Sequence, residues 1–202
     1  MCIRDSDRPD AWAHCAGPAE IPEGAEVFLG VDMALRHDSA AVVAVWYDAD
    51  PDRWVIEPWI QSPAHGRKLD FAAVADRIRW NTKTRQVRAV AYDPRFLEVI
   101  SQQLEDEGIP MLEWPQSPER MISATQNAYE LIGEHRLEQP ADPVFTRHVT
   151  AAAWKHTERG AMLHKGLSGR PIDACVALVM ALAAGRALMA EPETPTPSVA
   201  FV

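Results

Sequence analysis

The sequence is short of several things, and each shortage narrows the field. It has three cysteines in 202 residues, Cys2, Cys15 and Cys175. None forms a C-x-x-C pair and no paired histidines stand in zinc register, so neither a disulfide framework nor a zinc site is expected. The expected setting is a reducing cytoplasm, with Cys175 a small apolar packing residue. Positive charge is also scarce: 20 Lys and Arg stand against 29 Asp and Glu, for a net charge of −9. Such a balance argues against a chain that grips nucleic acid tightly unaided. The longest apolar stretch begins at Ala174, is too short to cross a bilayer, and is interrupted by Gly185-Arg186. The opening Met1-Cys2-Ile3-Arg4-Asp5-Ser6 lacks the apolar core of a signal peptide. Ser39 and Ser62 have no nearby His and Asp in a hydrolase arrangement, which excludes nucleophilic serine catalysis. Internal repeats are absent.

What is present is enough apolar residue, 47% of the chain, to build one domain with a proper core. Residues 1–25 hold Pro9, Gly17, Pro18, Pro22 and Gly24 with little periodicity and read as a linker or arm. Residues 191–202 read as a flexible Pro-rich tail. Between them, residues 26–190, the pattern predicts strands over 27–33, 40–47, 53–60, 87–92 and 109–114. The first two, joined by a short turn, are expected to be antiparallel. Helices are predicted over 69–80 and 96–107, the second stopped by Gly108. Further helices start at Ser117-Pro118, at Asp142-Pro143 and at Pro171, while 155–168 reads as a hairpin or an ordered loop. Hairpins followed by alternating helix and strand define an α/β fold with a mixed five-stranded sheet flanked by helices.

Three aspartates stand where these elements would aim them at one point. Asp32 ends the run Val27-Phe28-Leu29-Gly30-Val31; Asp93 ends the run over 87–92 and precedes Pro94; Asp173 opens the last helix. Carboxylates brought together repel one another unless a divalent cation lies between them, and oxygen-only ligands suit Mg²⁺ or Mn²⁺ rather than zinc. Each acid also has an ordinary reading, as a turn cap, a turn starter or a helix-start acid. Basic residues cluster at 67–88 and at 147–170, and a basic rim around an acidic centre is what a phosphodiester requires. Asp38 is weighed as a fourth ligand against a turn role, and His164 and Lys165 as phosphate contacts against an exposed loop. The seven tryptophans read as packing residues before they read as a base-stacking platform.

The order of elements resembles the ribonuclease H-like fold, and local strings carry the likeness further. Leu29-Gly30-Val31-Asp32-Met33-Ala34 with Asp38-Ser39-Ala40-Ala41-Val42-Val43 resembles the first motif of phage terminase large-subunit nuclease domains. Ala91-Tyr92-Asp93-Pro94 resembles the second, and Arg170-Pro171-Ile172-Asp173-Ala174-Cys175 with the apolar residues after it resembles the third. Trp114-Pro115-Gln116-Ser117 and Met121 are also similar to that pattern. The resemblance implies a metal-dependent endonuclease that cuts concatemeric viral DNA during packaging. Asp32, Asp93 and Asp173 would be its catalytic and metal-binding residues, with two Mg²⁺ or Mn²⁺ ions about 4 Å apart. It implies double-stranded DNA, the terminase ATPase domain, the portal and the small terminase subunit as partners. It further implies a place in the bacterial host cytoplasm and, transiently, at the procapsid portal. The chain contains no G-x-x-x-x-G-K-[ST] motif, so it is expected to be the nuclease half alone, entered through its interdomain linker. Two other readings stay open on the same fold: a resolvase or RNA–DNA hybrid nuclease, and a non-catalytic docking module.

Overall fold

The computed structural model describes residues 10–33, 39–62, 69–158, 160–163 and 169–190. Its centre is β1 (Glu26–Met33), whose residues after Glu26 are all buried. An uninterrupted apolar strand of this kind is buried on both faces, and the sheet order explains how. β1 pairs antiparallel with β2 (Ala40–Asp48), which pairs antiparallel with β3 (Arg53–Gln61). On its other side β1 pairs in parallel with β4 (Gln86–Tyr92), and β4 in parallel with β5 (Met111–Glu113). A two-residue strand, β6 (Leu137–Glu138), adds in parallel to β3 at Trp54 and Val55. The mixed sheet therefore has six strands, in the order β5-β4-β1-β2-β3-β6, and not the five read from sequence. Two residues give no alternation to detect, which is why β6 has no signature of its own.

Six helices accompany the sheet among the described residues. α1 (Ala11–His14) precedes β1; α2 (Phe71–Thr84) follows β3; α3 (Pro94–Asp106) follows β4. α4 (Pro118–Gly133), α5 (Pro143–Thr150) and α6 (Asp173–Ala190) complete the set. Short polar side chains start four of them. Asp70, Asp93, Ser117 and Asp142 each accept amide hydrogen bonds from the first turn, and Pro follows at once in the last three cases. The expected hairpin region contains β7 (Trp154–Thr157) and β8 (Gly160–Leu163), paired antiparallel.

Period-two alternation divides the core between the two faces of the sheet. Val27, Leu29, Val31 and Met33 of β1, with Val90 and Tyr92 of β4, pack against Val74 and Ile78 of α2 and Leu97 and Leu104 of α3. Phe28 of β1, Ala41, Val43 and Val45 of β2, and Ala89 and Ala91 of β4 belong with α6 and α4. Gly185 and Arg186 do not interrupt α6, which runs on to Ala190. Its length and apolar composition would suffice to cross a membrane, but two thirds of it is buried inside the protein. It is the central core helix.

Residues 10–25, read as a linker or arm, lie against the body. Trp12 is 4% exposed, meets Phe145 edge-on at 5.3 Å and donates from its indole N–H to Thr146 Oγ1 at 3.3 Å. Ala16 bridges Gln139, and Ala19 and Ile21 are buried. The tail, 191–202, lies outside the described residues. Among the tryptophans, Trp12, Trp54 and Trp114 are buried, and the exposed Trp80 has the Arg77 guanidinium 4.1 Å from its ring centroid. The Trp154 side chain lies outside the described part.

Candidate active site

The end of β1 gathers the acids, and the sheet register explains why. Val31 pairs with Tyr92, so Asp32 and Asp93 are the next residues of two adjacent parallel strands. Alternation aims both at the α6 face, Asp32 after Phe28 and Gly30, and Asp93 after Ala89 and Ala91. α6 crosses that face closely. A Cβ on Gly30 would sit 1.9 Å from the Ala177 carbonyl oxygen, while one on Gly185 would meet Phe28 at 2.8 Å. The helix thus runs opposite to β1, and Asp173, one turn before Ala177, comes to the strand's carboxyl end. There Ser39 donates to Asp173 Oδ2 from its hydroxyl at 2.8 Å and from its backbone amide at 3.3 Å. Ser39 adjoins Ala40, the partner of Met33. Asp93 lies on the β4 side of Asp32, and Asp173 on the β2 side.

All three carboxylates are buried, with exposures of 1%, 4% and 1% for Asp32, Asp93 and Asp173. Each has one oxygen held by a nearby donor. Gln116 donates from Nε2 to Asp32 Oδ1 at 3.0 Å and also touches the Met180 sulfur at 3.9 Å. Asp93 Oδ1 accepts from the Arg95 amide at 3.0 Å and so caps α3. As placed, no three acidic, His or Cys side chains among the described residues are grouped closely enough to enclose one ion. Asp38, His164 and Lys165 lie outside the described residues.

The neighbouring side chains define what donor chemistry remains. Burial pushes the Cys175 thiol up to about 12, and the charge on Asp32 adds to the rise. A thiol so hard to ionise is neither nucleophile nor soft metal ligand. His148 is buried, and burial lowers its pKa despite the opposing charge of Asp173, which favours the neutral ring. Its Nδ1 accepts the Ala174 amide at 3.2 Å, so the ring proton sits on Nε2. That bond satisfies one of the amides left open at the start of α6. The donor set consists of hard carboxylate oxygens, which suits Mg²⁺ or Mn²⁺ and not a thiolate-loving ion.

Three residues of this site were not read from the sequence as partners of the acids: Gln116, His148 and Ser39, the last weighed only as a nucleophile. Gln116 and Ser39 stand inside quoted motif strings, but nothing local marks their side chains as partners of acids 84 and 134 residues away.

A six-stranded mixed sheet with helices on both faces and carboxylates at the end of its central strand defines a ribonuclease H-like α/β protein. The family described as the terminase large subunit, endonuclease domain, matches residues 49–191, well over half of the chain. The chain belongs to that family. Asp93 and Asp173 fall inside the matched residues, and Asp32 precedes them. Among solved structures, the HK97 bacteriophage large terminase is similar at 19% identity with a TM-score of 0.78, over 91% of this chain. This chain spans 43% of that protein's length. The large terminase nuclease from thermophilic phage G20c is similar at 14% identity and a TM-score of 0.63, over 86% of this chain and 97% of its own. The same nuclease with bound magnesium gives a TM-score of 0.61 at 14% identity, over 85% of this chain and 95% of its own. No curated protein matches this sequence.

Proposed function

We propose that this chain is the metal-dependent endonuclease of a phage packaging terminase, hydrolysing phosphodiester bonds of double-stranded DNA. The observation that carries the reading is the row of three buried carboxylates around the end of β1 in a chain of this family. Asp32, Asp93 and Asp173 would hold Mg²⁺ or Mn²⁺, and the magnesium found in the G20c nuclease is consistent with that choice. Divalent cations held there would supply Lewis-acid polarisation of the phosphate and a bound water of lowered pKa. Asp32, between the other two, is the natural ligand to share. Gln116 fixes the Asp32 carboxylate, Ser39 fixes that of Asp173, and His148 fixes the helix end that bears it. These neutral donors orient the acids while leaving their negative charge for the cations.

The wider setting is proposed on the same footing. The ATPase domain of the large subunit, the portal and the small subunit would be its partners, in the host cytoplasm and at the procapsid. A net charge of −9 suits a nuclease handed its DNA by a motor. Purified protein should nick plasmid with Mg²⁺ or Mn²⁺ and stop with EDTA. Folded protein that binds neither ion and leaves plasmid intact would overturn the reading.

Two smaller predictions arise from the local bonds. Gln116→Met keeps the volume but donates nothing to Asp32. Metal affinity, measured by calorimetric titration, should fall about 10- to 100-fold, with thermal stability little changed. Asp93→Ala removes the α3 cap and should cost about 1 kcal/mol in urea unfolding, whereas Asp93→Asn, which still caps, should cost much less. Equal losses in the two variants would mean that the cap contributes nothing.

A further inference from the structure

Apart from Arg170 and from Arg186, which donates to Asn127 Oδ1, the described arginines are of two kinds, and they are sorted by position. Arg53, Arg77, Arg79, Arg85, Arg88 and Arg136 each pair with a carboxylate, and all lie at the middle or far end of the sheet from Asp32. Arg95, Arg120 and Arg147 are exposed and make no ion pair or side-chain hydrogen bond with any described residue. All three stand at the acid end. Arg95 is two residues beyond Asp93; Arg120 is in the first turn of α4, four residues beyond Gln116. Arg147 adjoins His148, whose ring accepts the Ala174 amide.

Arg147 lies in the last turn of α5, where the helix dipole favours a cation, and the Arg120 guanidinium lies 6.0 Å from the Trp114 ring centroid. A cation in the first turn of a helix faces the positive end of the helix dipole, so Arg95 and Arg120 sit where charge alone disfavours them. Asp93 and Asp32, at the same end of the sheet, are buried and already hydrogen-bonded. Free guanidiniums around a recessed cluster of negative charge would contact a second polyanion while leaving the acids to their cations. Charge so placed would let a protein of net −9 hold DNA.

We infer that Arg95, Arg120 and Arg147 are the phosphate contacts that seat duplex DNA across the carboxylate row, Arg95 and Arg120 on the β4 side and Arg147 beside the start of α6. This rests on the nuclease reading above and extends it to the residues that hold the substrate. Such contacts carry no sequence information, so they would bind any duplex alike.

The test is the salt dependence of binding to a fluorescein-labelled 30-base-pair duplex, measured by anisotropy in EDTA so that no cleavage intervenes. Arg95→Gln, Arg120→Gln and Arg147→Gln should each flatten the slope of log affinity against log salt by about 0.9. Arg88→Gln and Arg136→Gln change the net charge equally but lie at the far end, and should leave the slope unchanged. Equal shifts in all five variants, or no duplex binding by the unsubstituted chain, would overturn the inference. An arginine whose loss leaves the slope intact is struck from the assignment. Asp32→Asn run in parallel separates the two claims. If it retains metal-dependent cleavage, the nuclease assignment of the acids fails. If it loses cleavage while the arginine variants keep the full slope, only the phosphate contacts fail.

Discussion

Asp32→Asn is expected to lower metal-dependent plasmid cleavage at least about a thousandfold, corresponding to roughly 4 kcal/mol of lost transition-state stabilisation. The substitution is nearly isosteric, and an asparagine carbonyl can still accept from Gln116 Nε2, the contact that holds Oδ1 of the native carboxylate at 3.0 Å. What disappears is the negative charge between Asp93 and Asp173. Calorimetric titration with Mn²⁺ should therefore show weakened or absent binding, while circular dichroism and the unfolding midpoint remain close to those of the native chain. The comparison discriminates against a docking module, in which the acids are only structural. There, changing the charge would leave metal binding untouched and alter only assembly. Cleavage within tenfold of the native rate would remove Asp32 from the site.

How much of this was legible in the sequence depends on how local the cause is. β1, β2 and β4 are apolar runs bounded by turn residues, and Asp93-Pro94 and Asp142-Pro143 mark helix starts through bonds spanning two or three residues. Those features were readable. α1 has four residues, and what anchors Trp12 is Phe145 and Thr146, more than 130 positions away. Nothing in the first 25 residues reports such partners, so the segment reads as a linker. β6 exists only because Trp54 and Val55 offer it an edge. The acids were singled out because their patterns are local: Asp32 and Asp93 each end an apolar run, and Asp173 opens an apolar helix. Gln116, Ser39 and His148 were not read as their partners, since their meaning lies wholly in what the fold brings beside them. The paired and unpaired arginines are likewise indistinguishable in sequence, since each basic stretch, 67–88 and 147–170, leaves out members of both kinds: Arg53 and Arg136 are paired, Arg95 and Arg120 are not.

Gly30→Ala should have the largest effect on stability, although it adds a single methyl group. Glycine ordinarily weakens a strand, and in the interior of one it marks a close approach by another backbone. Here the added Cβ would meet the Ala177 carbonyl oxygen at 1.9 Å, the Ala177 carbonyl carbon at 2.8 Å and the Ala181 amide at 2.9 Å. All three are backbone atoms of the central core helix, so no rotamer change relieves the clash. Either α6 lifts from the sheet or β1 gives way beneath it. Helix displacement would strip contacts from Ala177 and Ala181, both fully buried against the strand. We expect a loss of at least about 3 kcal/mol in urea unfolding, the upper end for overpacking because both partners are rigid. For a domain of this size that corresponds to a fall of roughly 6–12 °C in Tm. The same displacement would carry Asp173 away from the end of β1, which it reaches because the helix lies this low on the strand. Metal affinity should therefore weaken in Gly30→Ala protein that is still folded, at a temperature well below its midpoint. Stability within about 1 kcal/mol of the native chain would show that the helix has room to rise, and that the closeness of strand and helix is not what brings the third acid into the row.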